Sequence, residues 1–256
     1  MKKILQCLCD HLSQLFLVSA KTLTPFFEEM AQAAWQVPMS QTLREAIASI
    51  GRRAETAMLK ATNGVNTHKG AIWALGLFVS AVSSQYSRKQ SLFFPEIFSD
   101  IQTLVSFADW QGAATNETHG HAVKQKYGGL GAFGEAAAGY PHVQIALADY
   151  FSRDLVLSDE NKLHMLLAII ASLDDTCILY RSDPAVLSHV QGLAATANQQ
   201  ALPNHDFQFL NDYCQRMHIS LGGSADLLAA SLFMLSLESI VSPGSVKARH
   251  EIVTQK

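Results

Sequence analysis

The sequence predicts an all-α fold. Between Gln41 and Ala61, apolar residues recur at steps of three and four, the spacing that places them on one face of a helix: Leu43, Ile47, Ile50, Ala54 and Met58. No comparably long run alternates between apolar and polar residues, as a half-buried strand would. Prolines and glycines divide the rest of the chain into segments of helical length. We therefore expect one all-α domain over residues 1–256.

The first segment is expected to be helical and to remain part of the protein. Its lysines and apolar residues are like those of a secretory signal, but Asp10 and His11 interrupt the apolar region that a signal requires. Four leucine and isoleucine residues instead recur at helical spacing: Ile4, Leu8, Leu12 and Leu15. We therefore expect a cytoplasmic protein.

The later helices are delimited by Pro95, Pro141, Pro184, Pro203 and the Gly222-Gly223 pair. After the 41–61 helix, apolar spacing predicts helices throughout the chain. One helix is expected before it, over 23–36. Those expected after it are 70–86, 95–109, 132–138, 142–151, 160–180, 184–199, 205–218 and 224–241. The tail over 243–256 is expected to be peripheral.

Composition excludes several classes of partner. The net charge of −3 and the absence of basic runs argue against nucleic-acid binding. The longest uncharged run, residues 70–87, contains four serines and a glutamine, so it is expected to form a core helix and not a membrane span. The cysteines lack the spacing of a zinc site or a disulfide framework: Cys7, Cys9, Cys177 and Cys214.

A polar, glycine-flanked loop, Gly64–Gly70, precedes the apolar helix that begins near residue 70. Asn66 or Thr67 could cap this helix, whose first N–H groups lack internal partners and favour an anion. Lys69 adds a positive charge. Taken by itself, the loop is better explained as a capped helix start with a solvated lysine.

Two adjacent carboxylates, Asp174 and Asp175, fall within the expected 160–180 helix, most of which is apolar. Buried carboxylates need a cation, a metal ion or several hydrogen-bond donors. Helical spacing places Asp174 on the same face as Cys177 and Arg181, so an Asp174–Arg181 ion pair is the alternative to a ligand site.

Further polar and glycine-rich strings lie later in the chain. At the start of the last helix, Ser224 could act as the N-cap with Asp226 in the first turn, and the Gly222-Gly223-Ser224 turn could offer N–H groups to phosphate oxygens. Thr118-His119-Gly120 precedes a glycine-rich stretch over 127–141. That stretch could let the backbone approach a nucleotide, or it could be a flexible loop.

Together these strings resemble those of the triphosphoribosyl-dephospho-CoA synthases. The Gly-Val-Asn-Thr-His-Lys-Gly and Gly-Gly-Ser-Ala-Asp-Leu-Leu strings are specific to that family, and the similarity runs from about Thr22 to about Leu237. The family makes the precursor of the prosthetic group carried by the acyl carrier subunits of citrate lyase and malonate decarboxylase. It transfers the triphosphoribosyl group of ATP to a ribose hydroxyl of 3′-dephospho-CoA, with release of adenine.

The resemblance implies roles for individual residues. The carboxylates available for catalysis are Glu55, Glu135, Asp174 and Asp175. Contacts with substrate or phosphate are implied for Asn66, Thr67, His68, Lys69, His119, Arg181, Gly222, Gly223, Ser224 and Asp226. Mg²⁺ that bridges the triphosphate to Asp174 or Asp175 is chemically natural. An acyl carrier protein, or the transferase that loads it, would act downstream.

The chain departs from the family pattern at several places. Residues 1–21 lack the usual Pro-Lys-Pro-Gly segment, and Phe133, Cys177 and Leu221 stand where arginine, asparagine and proline are expected. An arginine-to-phenylalanine change removes a planar set of hydrogen-bond donors. Two alternatives follow: a degenerate homologue that binds an adenine nucleotide, a CoA-like ligand or a carrier protein, and an unrelated all-α nucleotide hydrolase.

Overall fold

The computed structural model describes residues 2–110 and 131–237, and within these ranges it describes side chains from Ser13 onward. All regular structure in these two ranges is helical, which confirms the all-α prediction. The helices are α1 (Lys2–Ala34), α2 (Gln41–Ala61), α3 (Lys69–Lys89), α4 (Phe94–Ser106), α5 (Gly131–Ala137), α6 (Pro141–Phe151), α7 (Asp159–Ile170), α8 (Thr176–Arg181), α9 (Pro184–Ala197), α10 (His205–Arg216) and α11 (Gly222–Ser236). The peripheral tail predicted over 243–256 lies outside the described residues, and the single domain stays a prediction.

Helix α1 is longer than the sequence pattern indicates. The stripe near the start of the chain and the expected 23–36 helix belong to one helix of 33 residues, which continues through Pro25. Proline removes one main-chain hydrogen bond but does not here end the helix.

Helix α2 begins where Ser40 accepts a hydrogen bond from the Leu43 N–H through its hydroxyl oxygen. Its buried face contains the predicted apolar stripe, which is confirmed: Leu43, Ile47, Ile50, Ala54 and Met58. Arg44 is also buried on this face, with only 5% of its surface exposed. A charged residue in the apolar face was not predicted.

Helix α3 is the central helix of the larger core and packs against α1, α2, α4 and α11. Its serines are compatible with burial because their hydroxyls donate to main-chain carbonyls. Ser83 donates to the Ala31 carbonyl and Ser84 to the Val37 carbonyl, each at 2.6 Å. In the described ranges, no helix combines the length and apolar character needed to cross a bilayer.

The predicted 160–180 helix is wrong, because two helices, α7 and α8, occupy this range and residues 171–175 separate them. Asp175 is the N-cap of α8, and its carboxylate accepts a hydrogen bond from the Cys177 N–H at 2.9 Å. Aspartate favours this position over a helix interior, since its short side chain competes for backbone N–H groups. The helical face assigned to Asp174, Cys177 and Arg181 therefore does not exist.

Two apolar clusters form the interior. The larger is built mainly from α1, α2, α3, α4, α6 and α11, and the smaller from α7, α8, α9 and α10. Helix α11 contacts α3, α6, α7 and α8, so it connects the two clusters. Its N-terminus consequently lies beside the N-terminus of α3 and beside the 171–175 break.

Candidate functional site

The Gly64–Gly70 loop leads directly into α3, which begins at Lys69. His68 is at the N-cap position and forms no side-chain cap bond, so neither Asn66 nor Thr67 is the N-cap residue. Asn66 nevertheless accepts a hydrogen bond from the Lys69 N–H through Oδ1 at 3.1 Å. The ammonium of Lys69 lies 2.5 Å from Oε1 of Glu55 on α2. Glu55 and Lys69 are 14 positions apart in the sequence and were predicted to have different roles, but they form an ion pair in the structure.

Thr67 and His68 face α1 and not the helix that follows them. Thr67 donates a hydrogen bond to the hydroxyl of Ser19 at 2.7 Å, and Nδ1 of His68 lies 2.8 Å from the same hydroxyl. Ser19 is fully buried, and Phe16 contacts the His68 ring edge-on. Burial lowers the pKa of His68. These two residues hold the loop against α1, and Ser19 is a positioning residue that sequence reasoning missed.

Asp226 on α11 reaches the N-terminus of α3. Its carboxylate lies against Gly70, where an added Cβ would be 1.9 Å from Oδ2, and it accepts a hydrogen bond from the Ala71 N–H. Burial raises the pKa of Asp226 to about 7, with a further increase from the negative charge of Asp175 and an opposing effect of the Ala71 N–H. Asp226 is the fifth residue of α11, so its prediction as a first-turn residue is wrong.

Asp175 binds the N-terminus of α11 in a similar way. Its Oδ2 accepts hydrogen bonds from the N–H and the hydroxyl of Ser224, each at 2.9 Å, and only 2% of Asp175 is exposed. Ser224 is the third residue of α11, and Leu221 is at the N-cap without a side-chain bond, so the prediction of Ser224 as N-cap is wrong. Gly223 allows the approach, since an added Cβ there would lie 2.9 Å from Oδ1 of Asp175.

Both helix N-termini that the sequence proposes for phosphate therefore contact a carboxylate of the chain itself. Ala71 of α3 donates to Asp226, and Ser224 of α11 donates to Asp175. The site consists of two neighbouring carboxylates, two helix N-termini and the exposed ammonium of Lys69. A carboxylate of this region can accept a proton, and Lys69 is the group there that can attract an anion, since both helix N-termini are already bonded to carboxylates.

Glu135 on α5 is buried and held by His142 at the start of α6. Oε1 accepts a hydrogen bond from the His142 N–H at 2.9 Å, and Oε2 lies 2.7 Å from Nδ1 of the ring. Burial lowers the pKa of His142, but the hydrogen bond and charge of Glu135, together with the Ser172 carbonyl and Asp174, raise it overall. His142 thus connects α5 with the 171–175 break. Sequence reasoning missed this residue, although its place after the helix-starting Pro141 was visible.

Tyr140 lies near enough to Glu135 and Asp226 to be affected by the charges of both. It is 1% exposed, and no described residue forms a hydrogen bond with its hydroxyl. Burial raises its pKa well above the usual value, and the negative charges of Glu135 and Asp226 act in the same direction. The phenol therefore stays protonated at neutral pH.

Asp174 and Arg181 are both exposed and do not form the predicted alternative ion pair within the described ranges. Arg181 instead donates to the Cys177 carbonyl at 3.4 Å. The Cys177 thiol accepts from the Gly223 N–H, and an added Cβ at Gly222 would lie 2.9 Å from its sulfur. His119 lies outside the described residues.

The donors for a metal ion are few. No group of three His, Cys, Asp or Glu side chains in residues 2–110 and 131–237 converges as a metal site requires. Asp175 is already bonded to three chain donors, whereas Asp174 is exposed. Mg²⁺ is commonly held by one or two carboxylates together with substrate phosphates. Asp174 fits such a role, and Asp175 fits it poorly.

Comparisons with known proteins agree on one family. A family model described as ATP:dephospho-CoA triphosphoribosyl transferase matches residues 6–244. A protein of Pseudomonas syringae pv. syringae, named as a probable 2-(5''-triphosphoribosyl)-3'-dephosphocoenzyme-A synthase, is 37% identical over 244 residues, which are 90% of this chain and 81% of the relative. The Klebsiella pneumoniae protein named 2-(5''-triphosphoribosyl)-3'-dephosphocoenzyme-A synthase is 36% identical over 229 residues, with 84% and 79% covered.

A solved structure supports the fold. A crystal structure assigned to a triphosphoribosyl-dephospho-CoA synthase of Archaeoglobus fulgidus superposes with a TM-score of 0.55. The match covers 87% of this chain and 98% of the other at 15% identity, so it is a likeness of fold alone.

Proposed function

Because the chain belongs to the ATP:dephospho-CoA triphosphoribosyl transferase family, we propose that it transfers the triphosphoribosyl group of ATP to 3′-dephospho-CoA and releases adenine. The observation that carries this proposal is the family match over residues 6–244, together with relatives at 36–37% identity over most of the chain. The arrangement of carboxylates and helix N-termini supports it chemically.

The reaction breaks a glycosidic bond and leaves the triphosphate intact. A ribose hydroxyl oxygen of 3′-dephospho-CoA attacks C1′ of the ATP ribose, and the bond from C1′ to N9 of adenine breaks with its electron pair on adenine. The hydroxyl proton must pass to a base, and one proton must reach the departing adenine, so the overall reaction moves one proton from the hydroxyl to adenine. The oxocarbenium-like centre at C1′ favours a nearby carboxylate. The site therefore needs a carboxylate that is ready to accept a proton near neutral pH.

We assign this proton to Asp226. A general base is most effective when its pKa is close to the working pH, and the pKa of Asp226 is raised to about 7. Three of the other candidate carboxylates are bonded to partners: Glu55 to Lys69, Glu135 to His142, and Asp175 to Ser224. The fourth, Asp174, is exposed to solvent. Asp226 was predicted only as a substrate contact, because its burial at Gly70 is not visible in the sequence.

The triphosphate would bind at the start of α3. Lys69 is 44% exposed there and can exchange Glu55 for a phosphate oxygen, and the exposed Arg181 provides a second cation. Asn66, Thr67, His68, Gly222 and Gly223 shape this surface. Mg²⁺, when bound, would be held by Asp174 and would neutralise phosphate charge. Downstream, the product would be taken by the transferase that loads an acyl carrier protein.

The test is an incubation of the protein with ATP, Mg²⁺ and 3′-dephospho-CoA, followed by chromatography and mass spectrometry. We expect free adenine and a product heavier than dephospho-CoA by one triphosphoribosyl group, in equal amounts. Asp226→Asn should abolish both products. Asp212→Asn, a matched change at an exposed position of α10, should leave them unchanged.

Two results would contradict the proposal. Folded protein that binds ATP but releases no adenine is not a synthase, and it would be a nucleotide-binding homologue. Phosphate release without adenine would identify a nucleotide hydrolase instead.

A further inference from the structure

His164 is a buried histidine with one ring nitrogen that forms no hydrogen bond to a described residue. Only 2% of His164 is exposed, and its Nδ1 lies 2.7 Å from Oδ1 of Asn198. The other nitrogen, Nε2, is 3.9 Å from Oε1 of Glu160, which is too long for a hydrogen bond. Buried polar groups are normally hydrogen-bonded, so Nε2 lacks a partner that the described part of the chain does not supply.

Asn198 fixes which nitrogen of the His164 ring carries the proton. The Asn198 amide nitrogen donates to Oδ1 of Asp149 at 3.1 Å, so the Asn198 oxygen is left to accept. Nδ1 of His164 therefore donates to that oxygen, and the neutral ring has a lone pair at Nε2. Histidines that bind a ligand through one nitrogen are commonly oriented through the other in this way.

A cavity of about 340 Å³ lies beside His164. It is found where the end of α6, the first half of α7 and the end of α9 meet. Its lining includes Arg153, Asp154, Glu160, Asn161 and the segment over 199–201. The volume is within the range of sites that hold small organic ligands. The structure therefore has a space next to His164 that can admit a partner for Nε2.

The cavity offers acceptors and negative charge. Asn161 donates both N–H groups of its amide, to Oδ1 of Asp154 at 2.6 Å and to a main-chain carbonyl at 2.7 Å, so its own oxygen remains an acceptor. Arg153 is bonded to both carboxylate oxygens of Asp149, at 2.8 and 3.0 Å, which compensates its charge. Asp154 and Glu160 form no ion pair with a lysine or arginine of the described ranges. The lining thus favours a ligand that is positively charged and donates hydrogen bonds.

We propose that this cavity binds a small organic cation of the primary ammonium class, held between Nε2 of His164 and the carboxylate of Glu160. Two hydrogen bonds of about 2.8 Å can span the 3.9 Å between Nε2 and Oε1. Hydrogen bonds from an ammonium group to a carboxylate are stronger than those between neutral groups. A metal ion fits less well, because no three His, Cys, Asp or Glu side chains converge on one point in the part of the chain that the structure describes.

The cavity is separate from the candidate active site. Glu160 and His164 are in the first half of α7, whereas the 171–175 break follows the last residue of that helix. The break begins about 16 Å from Glu160 along the helix axis. The proposal therefore does not depend on the proposed function.

The test is binding of n-butylammonium to the full chain at mildly alkaline pH. Calorimetry and thermal unfolding measure binding, and NMR of protein with isotope-labelled histidine reports on the ring of His164. We expect saturable binding that raises the melting temperature and shifts the Nε2 signal. Tetramethylammonium has the same charge but no N–H donor, and n-butanol has no charge. Each should bind at least about tenfold more weakly than n-butylammonium.

Two variants and a matched control locate the site. Glu160→Gln removes the charge but keeps an oxygen for the Leu202 N–H, which bonds to Oε1 at 2.8 Å. His164→Asn keeps an N–H donor near the position of Nδ1 and lacks Nε2. Each variant should bind n-butylammonium about tenfold more weakly or worse. Asp159→Asn removes the neighbouring carboxylate, which is 96% exposed and bonded to Lys162, and it should leave the affinity unchanged within about twofold.

Four outcomes would overturn the inference. The first is folded protein that shows no saturable binding of n-butylammonium, and the second is equal binding of tetramethylammonium. The third is a His164 ring that carries protons on both nitrogens in the free protein, since it would then pair with Glu160 without a ligand. The fourth is binding of Zn²⁺, but not of n-butylammonium, that is lost in His164→Asn, which would identify a metal site instead.

Discussion

At the scale of single residues, the site is shaped by two places where a carboxylate touches a glycine. Asp226 lies against Gly70 and Asp175 against Gly223, so closely that an added Cβ would lie 1.9 and 2.9 Å from the respective oxygen. Neither glycine has a left-handed backbone, since the positive-φ glycines in the described residues are Gly64, Gly131 and Gly139. Close approach, and not backbone freedom, therefore requires glycine at these positions.

Gly70→Ala should destabilise the protein by about 1–3 kcal/mol and reduce product formation, because the methyl group would collide with Oδ2 of Asp226. Urea unfolding measures the first effect. Gly192→Ala is the matched control, because no atom lies within 4 Å of a Cβ there, and this helical change should be neutral or stabilising. Combining Gly70→Ala with Asp226→Ala should relieve the collision, so additive effects of the two changes would contradict the explanation.

The raised pKa of Asp226 has a pH-dependent effect on stability. Because the folded state binds this proton more tightly than the unfolded state, the associated stability is fully present below the ordinary carboxylate pKa and is lost as pH rises through about 7. Asp226→Asn cannot ionise. The stability of Asp226→Asn relative to wild type should therefore increase by about 4 kcal/mol between pH 4 and pH 8, measured by urea unfolding. An unchanged difference between the two proteins across that range would contradict the raised pKa.

At the scale of elements, the informative feature is the break between α7 and α8. Apolar spacing continues through residues 160–180, so periodicity alone predicts one helix. The helix ends because Asp175 accepts the Cys177 N–H locally and two further hydrogen bonds from Ser224, 49 residues later. The Asp175 carboxylate is thus held by one local hydrogen bond and by two from a distant helix, so its role depends on the tertiary structure. Sequence spacing cannot reveal it.

Replacement of Asp174 by alanine should affect stability and activity differently from the same replacement at Asp175. Asp175→Ala removes the N-cap of α8 and leaves the Ser224 donors unpaired, so it should lower the free energy of unfolding by about 2–4 kcal/mol. Asp174→Ala, at an exposed position, should change it by less than about 0.5 kcal/mol and should raise the Mg²⁺ concentration needed for half-maximal activity. Thermal unfolding and a Mg²⁺ titration of the rate measure the two effects. Near-normal Mg²⁺ dependence in Asp174→Ala would remove the metal assignment.

At the scale of the whole molecule, the sequence predicted the helical class and most helix positions, because long apolar stripes such as that of α2 are set by local spacing. It also singled out the starts of α3 and α11, which the fold brings together. It missed Ser19, Arg44 and His142. Each of these acts through contacts between distant segments, and the burial of such polar residues depends on partners that periodicity does not encode.

The serines of α3 make the end of α1 dependent on another helix. Ser83 and Ser84 bind the carbonyls of Ala31 and Val37, and the Ser87 hydroxyl accepts from the Gln36 N–H at 2.8 Å. These main-chain groups at the C-terminal end of α1 would otherwise need water or a local cap. Helix α1 therefore cannot complete its own terminus by itself. We therefore expect fraying of the chain near residue 36 to be coupled to opening of the core around α3.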